Sequence, residues 1–178
     1  MNITVYCGSV NGIDNKYSAC AKRLGQLIAD NGHTLVFGAS NTGLMGVLCN
    51  AVMQSGGDTI GVVPDIPFIA AKAHPNLTRR IDTADLSERK KVMMELGDAY
   101  VALPGGLGTL DEISEIIEIS RIGAQDKPIV LINTDGFYEG IKQQIKQMKE
   151  SGFLGKEEMA NVYFAEDAKD CMEFIETF

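Results

Sequence analysis

Pro104-Gly105-Gly106-Leu107-Gly108-Thr109 is the stretch of this chain best suited to chemistry. Gly105, Gly106 and Gly108 remove side chains where a β-prone run, Ala99 to Leu103, gives way to a helical pattern. Bare backbone lets N–H groups approach an anion closely. The unpaired N–H groups and dipole of a helix start favour negative charge at the same place. The Thr109 hydroxyl adds a donor, and phosphate is the natural ligand. The plainer alternative is a tight turn that only packs helix against sheet. The strand before the loop and the helix after it favour the phosphate. This is not a Walker A loop, because no Gly-Lys-Ser/Thr follows. Nor is it a dinucleotide fingerprint. The first strand ends in Gly8-Ser9-Val10-Asn11-Gly12, and Val36-Phe37-Gly38 stands where an acidic ribose ligand would be.

Carboxylates follow the loop at Asp111, Glu112, Glu115 and Glu118. Asp111 reads as a partner of the helix dipole. Glu112 lies one turn from the loop, placed for ribose hydroxyls or a water. Glu115 is one turn further on the same face, and Glu118 reads as a solvated charge. Arg89 falls near the N-terminal end of another helix, where a cation opposes the dipole. It reads either as a surface arginine or as a fork for phosphate.

The elements that must position these residues alternate along the whole chain. Strands are expected at Ile3 to Tyr6, Thr34 to Phe37, Thr59 to Val63, Leu77 to Asp82, Ala99 to Leu103, Pro128 to Ile132 and Val162 to Phe164. Helical patterns occupy Tyr17 to Ala29, Leu44 to Gln54, Asp85 to Leu96, Leu110 to Arg121, Gly136 to Lys149 and the final run to Phe178. Asp85-Leu86-Ser87-Glu88 has the spacing of a capping box. Residues 65–76 contain Pro67 and Pro75 and no clear period, so they read as a surface loop, either a lid or a plain connection. Strands separated by helices imply parallel pairing with right-handed crossovers. The expectation is one α/β domain over residues 1–178, a Rossmann-like, doubly wound, mainly parallel sheet with helices on both faces. Its ligand edge then gathers three glycine-containing loops: Gly8-Ser9, Gly38 to Gly46, and Pro104 to Thr109.

Composition narrows the functions. The 178 residues carry a formal net charge of -8 and no long Lys/Arg run, which argues against nucleic acid and an anionic membrane surface. No apolar run approaches the roughly 18 residues that span a bilayer. Met1 to Tyr6 lacks the features of a signal peptide. Cys7, Cys20, Cys49 and Cys171 are scattered, and with only His33 and His74 they make no metal-ligand spacing. Reduced thiols and a cytoplasmic location are the expectation.

Together the motifs look familiar. Pro104 to Glu112 matches PGGxGTxxE; Arg89-Lys90 with Met93 resembles RKxxM; Gly43-Leu44-Met45-Gly46 matches GLMG. Tyr6-Cys7-Gly8-Ser9 and Asp126-Lys127-Pro128 are similar too. In this order, over nearly the whole chain, they resemble the LOG (LONELY GUY) family, often labelled as lysine decarboxylases. The resemblance implies a homodimeric phosphoribohydrolase that cleaves a nucleoside 5′-monophosphate, AMP or a cytokinin riboside 5′-monophosphate, to free base and ribose 5-phosphate. It implies Arg89 and Glu112 as the catalytic pair. The substrate and its phosphate would be held by Gly8, Ser9, Gly38, Lys90, Gly105, Gly106, Leu107, Gly108, Thr109 and Glu115. No metal or cofactor is implied. Decarboxylation would call for pyridoxal phosphate and a Schiff-base lysine, and no lysine here sits in such a motif. The alternative is a carrier that holds a nucleotide or phosphorylated cofactor without turnover, as molybdenum-cofactor carriers do. Two positions depart from the family pattern. Gly38-Ala39-Ser40 replaces three glycines, and residues 117–123 lack a tryptophan.

Overall fold

A computed structural model describes residues 1–155, 159 and 161–178. Seven strands form one sheet: β1 (Asn2–Tyr6), β2 (Thr34–Phe37), β3 (Thr59–Pro64), β4 (Arg79–Thr83), β5 (Ala99–Ala102), β6 (Ile129–Ile132) and β7 (Val162–Ala165). Their order is β4-β3-β2-β1-β5-β6-β7, and every neighbouring pair is parallel. The chain builds outward from β1 to β4, then crosses back to β5 and builds the other way. The reversal therefore lies between β1 and β5, the place where such sheets bind ligands.

Helices cover both faces, and the strands show why. β1, β2, β5 and β6 are short apolar runs, as sheets covered on both sides require. Their alternate residues belong to different cores. Ile3, Val5, Leu35, Phe37, Val101 and Val130 meet α1 (Asn15–Asp30), α2 (Gly43–Gln54) and α7 (Ala168–Thr177). Tyr6, Val36, Tyr100, Ala102, Ile129 and Leu131 meet α4 (Leu86–Leu96), α5 (Leu107–Arg121) and α6 (Glu139–Glu150). Thr4 points to the second face, where its hydroxyl donates to the Met93 carbonyl at 3.0 Å in a buried site. That bond ties the middle of α4 to the central strand.

The strand and helix expectations hold, with shifts at the ends. α1 begins at Asn15, earlier than the apolar period suggests, because the Asp14 carboxylate caps it by accepting from the Lys16 N–H. α5 begins at Leu107 rather than Leu110, so the glycine loop supplies the helix's own first turn. Residues 65–76 are not irregular throughout, since α3 (Pro67–Ala70) forms behind its two-residue lead. Of the apolar helix residues, Ile116 is buried and Met53 packs on the core, while Met148 is exposed.

The capping box forms. Asp85 accepts from the Glu88 N–H at 2.8 Å, and Glu88 reaches back to accept from the Ala84 N–H at 2.6 Å. These bonds fix the first turn of α4, one residue before Arg89. Asp85→Ala is expected to lower stability by about 1 kcal/mol, read as a lower urea midpoint at unchanged slope. An unchanged midpoint would show that the cap does not hold this turn.

Candidate functional site

The C-terminal ends of β1, β2, β3 and β5 open into one cavity of about 480 Å³. Its walls come from the connections after these four strands, with Arg89 and Met93 of α4, and the connections are locked together by backbone. Gly8 donates to the Pro104 carbonyl at 3.1 Å, joining the loops after β1 and β5 across the reversal point. Leu44 donates to the Gly8 carbonyl at 3.1 Å, which brings in the start of α2. Asn41 donates to the Lys72 carbonyl at 2.8 Å, and His74 to the Ala39 carbonyl at 2.7 Å. These last bonds pin residues 65–76 to the loop after β2 as a strap. Of the two readings of that stretch, the structure favours more than a plain connection, since Phe68, Ile69 and Lys72 line the cavity.

α5 starts at the cavity wall. Gly106 is its cap residue, with no side-chain hydrogen bond to the first turn. The N–H groups of Leu107, Gly108 and Thr109 therefore lie at a helix start beside the cavity, in the arrangement that suits an anion. Gly105 has a different task. A Cβ there would lie 2.2 Å from Thr109 Oγ1 and 3.0 Å from the Gly8 nitrogen, so this glycine lets the loop fold down on itself and against β1.

Arg89 and Glu112 meet over the reversal point. Arg89 Nη2 donates to Glu112 Oε1 at 3.3 Å, and only 12% and 14% of the two side chains is exposed. Among the described residues the Arg89 side chain donates to nothing else, and its buried Nε has no acceptor. Most of the guanidinium fork is thus uncommitted. Burial raises the Glu112 pKa above the ordinary carboxylate range, and the Arg89 charge opposes that rise. Buried Tyr6 lines the same cavity, its phenol held strongly in the neutral form by burial and by the Glu112 charge.

The guanidinium is held by what residue 38 lacks. A Cβ on Gly38 would lie 2.0 Å from Arg89 Nη2 and 2.9 Å from Cζ. Arg89 therefore occupies the space of a missing side chain. Its neighbour Ala39 adopts φ of +64°, a left-handed conformation that strains an L-residue by about 1 kcal/mol or more. The loop keeps a glycine-like backbone there although the residue is alanine.

Nine of the expected site residues line the cavity: Gly8, Ser9, Gly38, Arg89, Gly106, Leu107, Gly108, Thr109 and Glu112. Gly105, Lys90 and Glu115 do not. Lys90 Nζ lies 3.0 Å from Asp111 and 2.9 Å from Glu115, a clasp between α4 and α5 outside the cavity. The reason is angular: successive helix residues point about 100° apart, so Lys90 cannot share the direction of Arg89. Asp111 is likewise this clasp's partner, one turn past the helix start, rather than a dipole partner. Sequence reasoning missed Met45, Met93, Phe68, Ile69 and Lys72 as cavity walls. Met45 and Met93 lay inside motifs already singled out; the strap stood out as a possible lid, but nothing local marked these three residues within it.

Among the described residues no group of three His, Cys, Asp or Glu is placed to hold a metal ion, and no helix is long and apolar enough to cross a membrane.

The chain matches the family model described as "Possible lysine decarboxylase" over residues 45–175. It is 37% identical over 175 residues to a cytokinin riboside 5′-monophosphate phosphoribohydrolase of Rhodococcoides fascians, covering 98% of this chain and 88% of the relative. It is 33% identical over 176 residues to the enzyme of that name, LOG5, of Arabidopsis thaliana, covering 99% and 77%. Among solved structures it resembles the molybdenum cofactor binding protein of Rippkaea orientalis, with a TM-score of 0.75 and 25% identity over 99% of this chain and 95% of the other.

The buried pair generates a pH prediction. In 13C-labelled protein the Glu112 carboxyl should titrate above an unfolded reference. Arg89→Met should raise it further by removing the opposing cation, and Gly38→Ala should do the same by displacing the guanidinium. The folded chain holds this proton more tightly than the unfolded one, so the Glu112 contribution favours folding at low pH and is lost as pH rises through the folded midpoint. A midpoint unchanged in both variants would show that Arg89 does not set the Glu112 charge.

Proposed function

The chain belongs to the LOG family, whose model bears the lysine decarboxylase description, and from that membership we propose that it is a phosphoribohydrolase, not a pyridoxal-phosphate decarboxylase. The substrate is a nucleoside 5′-monophosphate, AMP or a cytokinin riboside 5′-monophosphate, and the products are free base and ribose 5-phosphate. The relatives at 33–37% identity over nearly the full chain carry the phosphoribohydrolase name. The observation that carries the reading is the position of Glu112. It lies one turn inside the helix whose start forms the anion cradle, and it is paired with Arg89 in a shared cavity.

The chemistry follows from that placement. The 5′-phosphate is held by the N–H groups of Leu107, Gly108 and Thr109, with Gly106 and Ser9 leaving room beside them. The ribose then lies over Arg89 and Glu112. N-glycoside cleavage builds positive charge on the sugar, and a carboxylate in a shielded cavity stabilises it. Glu112 also takes a proton from the attacking water. A raised pKa makes it a stronger base than an ordinary glutamate, provided the pH is above that value. Arg89 opposes the rise that burial gives the Glu112 pKa and orients the sugar phosphate with its remaining donors. Phosphate binding far from the broken bond holds the ribose in reacting geometry. In an acidic protein of net charge -8, the cavity is lined by Arg89 and Lys72 against the single carboxylate Glu112, a balance that suits an anionic ligand.

The same reading takes residues 1–178 as one nucleotide-binding domain, acting as a cytoplasmic homodimer. The exposed apolar side chains of Leu86 and Ile122, at the ends of α4 and α5, are available to such an interface. A carrier reading has one observation in its favour, the likeness to a molybdenum cofactor binding protein.

Purified protein incubated with AMP or isopentenyladenosine 5′-monophosphate should release free base and ribose 5-phosphate. Glu112→Gln should lower kcat by about 100-fold or more while nucleotide still binds. Light scattering should give the mass of a dimer. Binding of both nucleotides without release of base would move the assignment to a carrier.

A further inference from the structure

Lys72 is the cation of the cavity that the mechanism above leaves unused. It sits on the strap of residues 65–76, two residues past α3, and its Nζ lies 3.9 Å from the centroid of the Phe68 ring. Among the described residues it has no carboxylate partner, whereas Arg89 is paired with Glu112 and Lys90 with Asp111 and Glu115. A ring face holds an ammonium at modest cost in hydration and releases it readily to a better partner.

Topology says what that partner is. The phosphate loop springs from the end of β5 and the strap from the end of β3, with β1 and β2 between them. At about 4.8 Å per strand the two ends of the cavity are roughly 14 Å apart. Arg89 and Glu112 lie between, with Arg89 against Gly38 at the end of β2. A nucleotide with its phosphate on the β5 side and its ribose over Arg89 and Glu112 directs its base toward the strap. The walls at that end are Phe68, Ile69, Met45 and Lys72. Phe68 is 71% exposed, so its ring is open to solvent at that end of the cavity.

Resting on the phosphoribohydrolase reading, we infer that Lys72 is a catalytic residue that protonates the departing base, and that Phe68 holds its ammonium at the base end of the cavity. In the step, the C1′–N bond breaks and its electron pair goes to the base nitrogen. The oxygen of one water forms the new bond to C1′. The water's proton goes to Glu112, and the base takes a proton from the Lys72 ammonium. Solvent restores the proton to Lys72 and removes the one on Glu112. The sum is nucleotide plus water giving free base plus ribose 5-phosphate. A purine leaves poorly as an anion, so a proton donor at the base end acts on the bond-breaking step itself.

The test compares wild type, Lys72→Met and Lys72→Arg on AMP and on nicotinamide 5′-mononucleotide, whose base departs neutral and needs no proton. Lys72→Met should lower kcat on AMP by about 100-fold or more, with a smaller change in KM and a smaller loss on nicotinamide 5′-mononucleotide. Lys72→Arg, which keeps the charge but does not give up a proton, should stay nearly as slow on AMP as Lys72→Met; recovery of the AMP rate by it would show that charge alone is supplied there and would overturn the proton-donor role. A Lys72→Met enzyme whose kcat on AMP stays within about threefold of wild type, or whose loss is confined to KM, would overturn the assignment. So would an equal loss on both substrates. Failure of the wild type to cleave any nucleoside monophosphate would instead remove the hydrolase reading, and this inference with it.

Discussion

The site depends on a close approach that only glycine allows: the backbone of residue 38 against the guanidinium of Arg89. With a Cβ at residue 38, Arg89 Nη2, the atom that donates to Glu112, would have to move. The rest of the arrangement serves this contact. The capping box sets the first turn of α4, Thr4 anchors its middle to β1, and the Lys90 clasp holds α4 against α5. One residue on, Ala39 keeps a left-handed φ of +64°.

Burial then gives the pair its chemistry. A carboxylate taken out of water binds its proton more tightly, and a neighbouring cation pulls the balance back. Glu112 sits between these two effects, raised by burial and restrained by Arg89. Both partners are mostly hidden, so solvent screens their interaction little. The anion cradle of α5 adds backbone dipoles that need no side chain and cannot be titrated away.

The sheet itself is shared with a molybdenum cofactor binding protein over almost the full length of this chain. Such a fold offers an anion-binding edge to many ligands, and function resides in the side chains placed there. Here those side chains include a buried ion pair over the reversal point, and a lysine resting on an aromatic ring at the far end. In the reaction proposed above the first acts on water and sugar, the second on the base.

Local pattern in the sequence determined the strands, the helices and their alternation, because apolar period and turn residues act over a few neighbours. It also marked the glycine loop, Arg89 and Glu112, since a strand-to-helix turn without side chains has few uses. Helix ends were less legible. Leu107 begins α5 because the turn folds onto Gly8, a contact nearly a hundred residues away in sequence. Tertiary structure alone decided which charges meet: Lys90 and Glu115 look like ligands by proximity to the motifs, yet they clasp each other outside the cavity. It alone decided that Phe68, Ile69 and Lys72 face the same cavity, because the strap is pinned by backbone bonds to residues 39 and 41, and backbone bonds leave no trace in side-chain identity.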